Sequence, residues 1–514
     1  MVFASFFSLS GSTSAAHHHQ RDVLHPVVLL PGFSCGQIEA RLTDAYDSPS
    51  PLCGVRKGDG RWFRLWKNST GLQDLPDVPC FADQLRLVYD PTAGDYRNVP
   101  GVETRVLSFG STRGFLSDDP ADKEICMGRL VEALERIGYI DGESLFGAPY
   151  DLRHAPAAPE LPNREFSRFR RSLTALVEHA SRRNGGKPAI LVSHSQGGLL
   201  ALEFLNRSPL AWRRRLVKHF IMASTGAGGI VVTMKGLAAS DGAGVLSMRR
   251  VKRSFESAFA GLPSPAVFGG ETPLVVTRAR NYTARDMPEF LSAAGLPASA
   301  VSLYLSRALP VALNLRAPLV PMTCVNGVGV PTPEKLVYWD GDVDKDPEVL
   351  HGDGDGVVNL ASILALDAVF GEDPGQRGCY RVPPRRHPSI PLPSSPPPET
   401  AAGKARAGVG EGGGNDLGAR IDLEGLRTRD SHWRLAVPWG GGPAGEAASS
   451  NSWQRPHETL ASVLGRTGGG SLVESGCGAV LYCVRSGGGG SPTVLLPLSA
   501  SRWLESAGSG GGEP

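Results

Sequence analysis

The residues with the clearest capacity for chemistry surround Ser195, in the run LVSHSQGG that spans 191–198. A compact apolar run ends at this serine, and a helical pattern begins directly afterwards at Gln196. A serine that acts as a nucleophile must project from a sharp turn between a strand and a helix, and the small residues Ser193 and Gly197 permit that close packing. The helix N-terminus then favours negative charge on the reacting oxygen. The run therefore predicts a nucleophile elbow, in which Ser193 stands where glycine is usual.

Acyl transfer to a serine also requires an oxyanion hole, formed by two N–H groups that stabilise the developing negative charge. The residue after the nucleophile supplies one of them, and here that residue is Gln196. Phe33 is predicted to supply the other, because it follows Pro31 and Gly32 directly after the first apolar strand. Gly32 would let the two segments approach closely. The alternative interpretation is that Pro31 and Gly32 form only a turn.

The acid that orients a catalytic histidine follows the serine in enzymes with this type of elbow, in the order serine, acid, histidine. Asp355 is the predicted acid because it lies in the run HGDGDGVV (351–358), after a predicted strand and before a helical segment that starts near Leu360. Alternating Asp and Gly residues also resemble a calcium loop. The run lacks the glutamate at the twelfth position and the flanking helices of an EF-hand, so the catalytic interpretation is favoured.

The general base must come from the three histidines that follow Asp355. His387 lies at the most suitable distance along the chain, although a proline follows it and no clear strand precedes it. His432 is the second candidate and His457 the third. Each of the three could instead be an exposed loop histidine without a catalytic role. The predicted triad is therefore Ser195, Asp355 and His387, with the base chosen by chain order and spacing.

Short apolar runs alternate with amphipathic segments between about Leu24 and Tyr380, which is typical of a mostly parallel sheet covered by helices. The predicted fold class is therefore α/β. The clearest strands are predicted at Pro26–Leu30, Arg105–Phe109, Ala189–Ser193, His219–Ala223 and Leu319–Val325. Helices are predicted at Lys123–Ile137, Glu165–Ser181 and Gln196–Leu205, where apolar residues recur every three or four positions.

Length and composition exclude several classes of protein. The 514 residues are 41% hydrophobic and 20% charged. A chain of this length and composition can build a large core that does not require disulfides or bound metals for stability. The net charge of +2 and the lack of a long Lys/Arg run argue against nucleic acid as a partner. No apolar run is long enough to span a bilayer, so a lipid surface would be contacted peripherally. The first 16 residues weakly resemble a secretory signal, and glycosylation sequons at Asn68 and Asn281 agree with a secretory or extracellular location.

The eight cysteines do not form the CxxC pairs of a zinc site, so they are either disulfides or isolated core thiols. Cys53 and Cys80 bracket a loop that contains Trp62, Phe63 and Trp66. A bridge between the two cysteines would tie down an aromatic flap, whereas two buried thiols would leave the flap to packing alone.

Two further regions differ in composition from the α/β pattern. Residues 236–270 mix Gly and Ala with a basic, helix-like piece at 248–260, which is typical of an insertion where lids and substrate pockets occur. The alternative interpretation is a solvent-exposed surface segment that has no role in the site. From about Arg381, Pro-rich and Gly-rich runs replace the periodic pattern, so most of the tail is predicted to be disordered. Ala479–Val484 and Val494–Leu498 could form strands within it.

Several of these segments together resemble the lecithin:cholesterol acyltransferase family, and most closely its plant lecithin-cholesterol acyltransferase-like branch. The resemblance covers about residues 24–380. Its motifs in this chain are HPVVLLPG at 25–32, QIEA at 37–40, YDLR at 150–153, SHSQG at 193–197 and GDGV at 354–357. The resemblance implies an α/β-hydrolase fold with a lid loop at about 53–80 and a cap insertion at about 228–315. Residues 1–23 would precede this domain, and residues 381–514 would follow it as a tail.

The resemblance also implies the reaction. An acyl group would pass from a phospholipid to Ser195, and then to a sterol, another acceptor alcohol or water. The loop between Cys53 and Cys80 would be a lid, with Trp62 near the lipid. Such a mechanism requires no metal or organic cofactor.

The resemblance further implies that Cys324 pairs with Cys379. In two places the chain departs from the family pattern. Phe33, Ser34 and Cys35 follow the first Pro-Gly, where the family has a polar or small residue. The periodic sequence also breaks off at about residue 381, where family members carry the strand, turn and helix with the catalytic histidine.

Two other functions stay open at the level of sequence. A phospholipase A would use the same acyl-serine intermediate and release the acyl group to water, because the acceptor is chosen by pocket shape and water access. An inactive relative that binds lipid would keep the pocket and lack the base. A histidine within hydrogen-bonding reach of both Ser195 and Asp355 would distinguish the enzyme from the inactive relative.

Overall fold

A computed structural model of the chain describes residues 24–66, 78–116, 126–238, 251–372 and 376, together with two short strands at 482–484 and 493–495. The predicted N-terminal segment 1–23 lies outside the described residues, as does the tail 381–514 apart from those two strands. The strands are β1 Val27–Leu30, β2 Ile38–Leu42, β3 Phe63–Trp66, β4 Leu87–Asp90, β5 Asp95–Asn98, β6 Val102–Val106, β7 Leu145–Gly147, β8 Ala189–His194, β9 Val217–Ala223, β10 Val275–Val276, β11 Asn281–Tyr282, β12 Met322–Val325, β13 Thr332–Val337, β14 Glu348–Gly352, β15 Tyr482–Val484 and β16 Thr493–Leu495. The helices are α1 Val78–Leu85, α2 Gly128–Arg136, α3 Arg164–Arg183, α4 Gln196–Asn206, α5 Leu210–Leu216, α6 Val231–Ala238, α7 Glu256–Ala260, α8 Pro265–Phe268, α9 Met287–Ala293, α10 Ala298–Leu303, α11 Leu309–Leu313 and α12 Leu360–Glu372. A π-helical turn, Tyr304–Ala308, joins α10 to α11.

Parallel strands form the central sheet, in the order β12, β9, β8, β1, β7. Every pairing in it is parallel, and Val192 of β8 lies between Leu29 of β1 and Ile221 of β9. Because strand order differs from chain order, the connections cross over the sheet and carry helices. The predicted α/β fold class is confirmed, and four of the five clearest predicted strands, all but Arg105–Phe109, lie in this sheet. The strands predicted at Ala479–Val484 and Val494–Leu498 overlap β15 and β16, which pair with each other in a separate two-stranded sheet.

The strand predicted at Arg105–Phe109 is wrong in its bounds and in its sheet. The strand found there, β6, ends at Val106 and pairs antiparallel with β2 in a separate sheet of order β3, β2, β6. It ends because Ser108 and Gly110 adopt positive φ, which turns the chain away from an extended course. The parallel sheet instead receives β7, which is too short to produce a recognisable apolar pattern.

Helices α3, α4 and α12 pack apolar side chains against the central sheet and form the largest hydrophobic core. The first turn of α3 is capped by Asn163, whose side-chain oxygen accepts the Phe166 N–H at 2.9 Å. The helices predicted at Glu165–Ser181 and Gln196–Leu205 are confirmed as α3 and α4, and α2 covers part of the helix predicted at Lys123–Ile137. Among the described residues, no helix is both long and apolar enough to cross a membrane.

A second hydrophobic core, called the second core below, is built from α6, α7, α9, α10 and a sheet of order β11, β10, β13, β14. Strand β10 is parallel to β13, whereas the other two pairs are antiparallel. Met234, Met287 and Phe290 are fully buried in it. Of the helical piece predicted at 248–260, residues 251–253 and α7 are helical, and the part before 251 lies outside the described residues.

Two disulfides fix segments close to β1 and β2. Cys53–Cys80 closes the loop that contains β3, and Cys35–Cys126 joins the segment after β1 to the start of α2. In the chain-entropy description, bridges across separations of 27 and 91 residues each stabilise the fold by about 3–5 kcal/mol. The first bridge excludes the alternative of two buried thiols, and nothing in the sequence predicted the second. Cys379, the expected partner of Cys324, lies outside the described residues.

Gly197 controls how closely α4 approaches β1. A β-carbon on Gly197 would collide with the carbonyl oxygen of Pro31 and lie 2.7 Å from that of Leu30. We expect Gly197→Ala to lower the free energy of unfolding by about 1–3 kcal/mol, because the helix must shift to relieve a clash with backbone atoms. Gly236→Ala in α6 is the matched control, since a β-carbon there meets nothing within 4 Å and alanine favours the helix by about 1 kcal/mol. Urea unfolding measures both variants, and an unchanged Gly197→Ala protein would contradict the close approach.

Candidate active site

Ser195 lies in the turn between β8 and α4, at the carboxyl end of the central sheet. Its backbone has φ 51° and ψ −125°, a conformation that costs a non-glycine residue about 1–3 kcal/mol. The turn is held because the Ser195 N–H donates to the Ala223 carbonyl at 2.9 Å and the Ser195 carbonyl accepts the Gly198 N–H at 2.9 Å. Ser195 is partly exposed. A serine on such a turn projects from the sheet edge, as a nucleophile must.

Glycines allow neighbouring segments to approach this turn. A β-carbon on Gly32 would lie 2.7 Å from Nδ1 of His194 and 3.3 Å from Cβ of Ser195. A β-carbon on Gly198 would overlap the side chain of Thr225, which follows β9. The loop after β1 and the segment after β9 therefore both lie directly against the serine turn.

The two predicted oxyanion donors belong to segments that adjoin Ser195. Gln196 is the first residue of α4, so its N–H has no acceptor within the helix. Phe33 follows Gly32, and its N–H has no acceptor among the described residues. Two such N–H groups can donate to an oxyanion that forms at a carbonyl attacked by the serine.

The loop at 31–36 is held at several points. The Tyr150 hydroxyl donates to the Pro31 carbonyl at 2.9 Å, and the Trp66 indole N–H donates to the Ser34 carbonyl at 2.8 Å. Ser34 itself adopts φ 69°, and the next residue is bound by a disulfide to the start of α2. This anchoring fixes the loop relative to the nucleophile before any substrate binds. The YDLR motif contains Tyr150, but the motif alone did not indicate this contact.

Asp355 lies between β14 and α12 and is only 3% exposed. Its Oδ1 accepts the N–H groups of Val357 at 2.9 Å and Val358 at 2.7 Å, whereas Oδ2 has no donor among the described residues. Burial raises the pKa of Asp355 to about 6, although the two N–H groups and the neighbouring Ser224 hydroxyl act in the opposite direction. A buried carboxylate oxygen without a donor is costly, and an imidazole N–H would satisfy it.

Ser195 and Asp355 both adjoin the carboxyl end of β9. The last residue of that strand, Ala223, accepts the Ser195 N–H. The next residue, Ser224, places its side chain beside the Asp355 carboxylate. The carboxyl ends of parallel strands are where open α/β sheets place their sites. The structure thus brings the predicted nucleophile and the predicted acid to the same edge of the sheet.

Asp353 serves the local structure of the same loop. Its side chain accepts the Gly329 N–H, and its carbonyl accepts the Leu360 N–H at 2.9 Å. Among the described residues, no group of three or more His, Cys, Asp or Glu side chains is arranged to hold a metal ion. The alternating Asp and Gly residues form a turn that positions Asp355 at the sheet edge.

The three candidate bases, His387, His432 and His457, lie outside the described residues, so their role stays a prediction. His194 directly precedes Ser195, but its ring packs against Gly32, and burial lowers its pKa to about 4. Such a weakly basic imidazole is poorly matched to proton abstraction near neutral pH. His194 therefore does not replace the three candidates.

Trp62 lies at the surface of the three-stranded sheet, just before β3. The guanidinium groups of Arg105 and Arg41 lie 4.3 Å and 5.0 Å from the centre of its ring. Each arginine also pairs with a glutamate on a neighbouring strand, Arg105 with Glu39 and Arg41 with Glu103. Trp62 is thus held on this sheet, while Trp66 at the end of β3 reaches the loop at 31–36.

A parallel sheet that presents a serine from a strained turn between a strand and a helix is the architecture of serine-dependent α/β enzymes. Residues 62–306 match the family profile described as lecithin:cholesterol acyltransferase.

Individual relatives extend this match over most of the α/β region. Lecithin-cholesterol acyltransferase-like 1 of Oryza sativa subsp. japonica is 45% identical over 349 residues, which are 67% of this chain and 78% of that protein. The Arabidopsis thaliana protein of the same name is 44% identical over 357 residues, which are 67% and 82% of the two chains. Lysosomal phospholipase A and acyltransferase of Canis lupus familiaris is 34% identical over 373 residues, covering 70% and 87%. The chain therefore belongs to the lecithin:cholesterol acyltransferase family, and its resemblance to the plant branch is confirmed.

The two aspartates of the HGDGDGVV run have different contacts, and we therefore expect different effects when each is replaced. Asp355→Asn is expected to lower kcat for ester turnover by about 10³-fold or more, because an amide cannot hold an imidazole in the tautomer that a base requires. Asp353→Asn is the matched control and should cost less than about tenfold, because its carboxylate accepts the Gly329 N–H and an amide oxygen can do the same. Initial rates with a soluble ester, and circular dichroism to verify folding, compare the variants. Equal losses would show that Asp355 has no special role.

Proposed function

We propose that this chain is a serine-dependent O-acyltransferase of lipid metabolism, which moves a fatty acyl group from a phospholipid to an acceptor alcohol through an acyl-serine intermediate. The observation that carries the proposal is the Ser195 turn, which presents a hydroxyl at the edge of a parallel sheet with the loop that contains Phe33 against it. The names of the relatives, acyltransferase and phospholipase A, support a lipid ester as substrate. On this proposal the fold is an α/β-hydrolase.

In the acylation half-reaction, Ser195 Oγ attacks the carbonyl carbon of a phospholipid ester while the histidine base takes the hydroxyl proton. The N–H groups of Phe33 and Gln196 donate to the oxyanion of the tetrahedral intermediate. The intermediate collapses when the histidine gives the proton to the glycerol oxygen. The lysophospholipid then leaves, and Ser195 carries the acyl group as an ester.

In the second half-reaction, the base takes a proton from the acceptor hydroxyl, whose oxygen attacks the acyl-serine. The new ester leaves and Ser195 regains its proton. A sterol or another alcohol as acceptor makes the chain an acyltransferase, whereas water makes it a phospholipase A. The relative from Canis lupus familiaris carries both activities in its name. The acceptor is thus set by access to the acyl-serine and not by the triad.

Asp355 is proposed to orient the base through Oδ2, the carboxylate oxygen that has no donor among the described residues. His387 is the proposed base, with His432 and His457 as alternatives. An imidazolium at Oδ2 would lower the pKa of Asp355 from the value of about 6 that burial imposes. If none of these histidines reaches Asp355, the chain is instead a lipid-binding relative without turnover.

We also propose that the disulfide-closed loop at about 53–80 is a lid and that the insertion at about 228–315, which supplies most of the second core, is a cap. Residues 67–77 of the lid loop lie outside the described residues. Leu52 is 50% exposed and Val55 is 75% exposed beside Cys53. Exposed apolar side chains favour contact with a lipid surface. Trp66 then connects the lid to the loop at 31–36 through its bond to Ser34.

Incubation with labelled phosphatidylcholine vesicles that contain a sterol tests the reaction. We expect labelled sterol ester from the wild-type protein. Ser195→Ala should reduce all labelled products by about 10³-fold or more, because it removes the nucleophile. Ser208→Ala, after the end of α4, is the matched control and should retain turnover. Chromatography of the products separates the outcomes: free fatty acid alone would favour phospholipase A, and unchanged turnover in Ser195→Ala would remove Ser195 from the mechanism.

Single alanine substitutions at the three C-terminal histidines identify the base. His387→Ala should lose product by about 10³-fold, whereas His432→Ala and His457→Ala should stay within about twofold of wild type. A fluorophosphonate that labels activated serines gives a second measurement that does not depend on lipid. If only His432→Ala or only His457→Ala loses product, that histidine is the base instead of His387. Insensitivity of all three would contradict a histidine base in this region.

A further inference from the structure

A cluster of buried charges lies between the second core and the segment that contains the YDLR motif. It contains three carboxylates, two guanidinium groups and one imidazole, which belong to Asp95, Asp151, Glu256, Arg153, Arg307 and His154. None of these residues is more than 9% exposed. Buried charges are tolerated only when they are paired. Because carboxylates outnumber guanidinium groups by one, the cluster is neutral only when His154 is protonated.

The contacts of Glu256 connect the cluster. Its Oε2 lies 2.8 Å from Nδ1 of His154, and its Oε1 accepts from Nη2 of Arg307 at 2.8 Å. Arg307 also donates to Oδ1 of Asp95 at 3.0 Å. Glu256 begins α7 and Arg307 lies in the π-helical turn, two elements that pack in the second core, whereas His154 and Asp95 lie outside it. The ion pairs therefore join the second core to the rest of the domain.

The remaining charged groups near His154 come from its own segment and from α3. Arg153 donates to Asp151 through Nε at 2.9 Å and Nη2 at 2.6 Å. Glu165 on α3 also faces His154 and pairs with Arg168 at 3.0 Å. Burial lowers the pKa of His154, but the hydrogen bond to Glu256 and the charge of Asp151 outweigh burial and Arg153, so the pKa is raised above 6.5.

The same segment is bonded to the residue after the nucleophile. The side-chain Nε2 of Gln196 donates to the His154 carbonyl at 3.2 Å and to the Leu152 carbonyl at 3.3 Å. From the side of the second core, the Ser257 N–H donates to the Arg153 carbonyl at 3.2 Å. The position of the first turn of α4 thus depends on a segment that the Glu256 contact holds in place.

We propose that His154 is a positioning residue for the Ser195 reaction: paired with Glu256, its imidazolium fixes the carbonyl groups that hold Gln196 beside the nucleophile. The inference rests on the proposed function of Ser195. Deprotonation leaves the cluster with one unpaired negative charge and weakens the pair. Because the pKa of folded His154 is raised, the pair contributes fully below pH 6.5 and is lost as the pH rises through the raised value. Activity should therefore fall on the alkaline side.

The test measures kcat/KM for a soluble ester, and the rate at which a fluorophosphonate labels Ser195, between about pH 5 and pH 9. His154→Asn keeps a neutral hydrogen-bond donor near the position of Nδ1, so its activity should lack the alkaline limb. At about pH 6 it should be about tenfold below wild type, and at about pH 9 the two should be equal. Glu256→Gln should move the limb to lower pH, because it removes the carboxylate that raises the pKa of His154. His179→Asn, an exposed position on α3, is the matched control and should keep the wild-type profile.

An alkaline limb that is unchanged in His154→Asn would overturn the inference, and this variant alone gives the result if Glu256→Gln does not fold. Thermal unfolding adds a measurement that is free of activity: Tm should fall above pH 6.5 in wild type and less in His154→Asn. Equal pH dependence of Tm in the two proteins would also count against the pair. If wild-type Ser195 is labelled but the alkaline limb is unchanged in His154→Asn, only the role of His154 is refuted. No labelling of wild-type Ser195 at any pH refutes the proposed function together with this inference.

Discussion

Close contact between the start of α4 and the end of β1 constrains everything around Ser195. A strained turn that costs about 1–3 kcal/mol persists only where its neighbours hold it in place. Here the Ala223 carbonyl holds the Ser195 N–H, and Gly32 and Gly197 let the two segments meet without a side chain between them. A larger side chain at either glycine would separate the serine from the loop that contains Phe33. On the proposed mechanism, this packing brings the nucleophile and its oxyanion donors together.

Two buried ionisable groups, Asp355 and His154, differ in the charge state that their surroundings favour. Asp355 has backbone donors for only one carboxylate oxygen, so burial is the largest influence and raises its pKa to about 6. His154 is also buried, but Glu256 lies 2.8 Å from its ring and favours the charged form. The difference lies in the partners and not in the depth of burial. A buried ionisable group keeps its charge where an opposite charge or several donors face it.

Sequence was sufficient for features that have a local signal. Apolar runs and three-to-four-residue periodicity predicted the strands of the central sheet other than β7. The structure places Asp355 at the edge of that sheet, and its role as the acid stays a prediction. The end of β6 has no such signal. A serine rarely adopts positive φ, so the presence of Ser108 in the sequence does not predict that conformation. The charge cluster could not be predicted, since Asp95 and Arg307 are 212 residues apart and each looks locally like a surface charge. Cys35–Cys126 was missed for the same reason, with 91 residues between its cysteines.

The anchors of the loop at 31–36 differ in strength, and this difference bears on how the proposed lid would act. The bond from Trp66 to Ser34 is a single neutral hydrogen bond, worth about 0.5–1.5 kcal/mol. The same loop is also held by the Tyr150 hydroxyl and by the disulfide to α2. Movement of the lid at a lipid surface can break the first contact while the other two stay in place. The proposed lid would therefore adjust a loop that the other two contacts still hold, and its larger effect would be on which acceptor, alcohol or water, reaches the proposed acyl-serine.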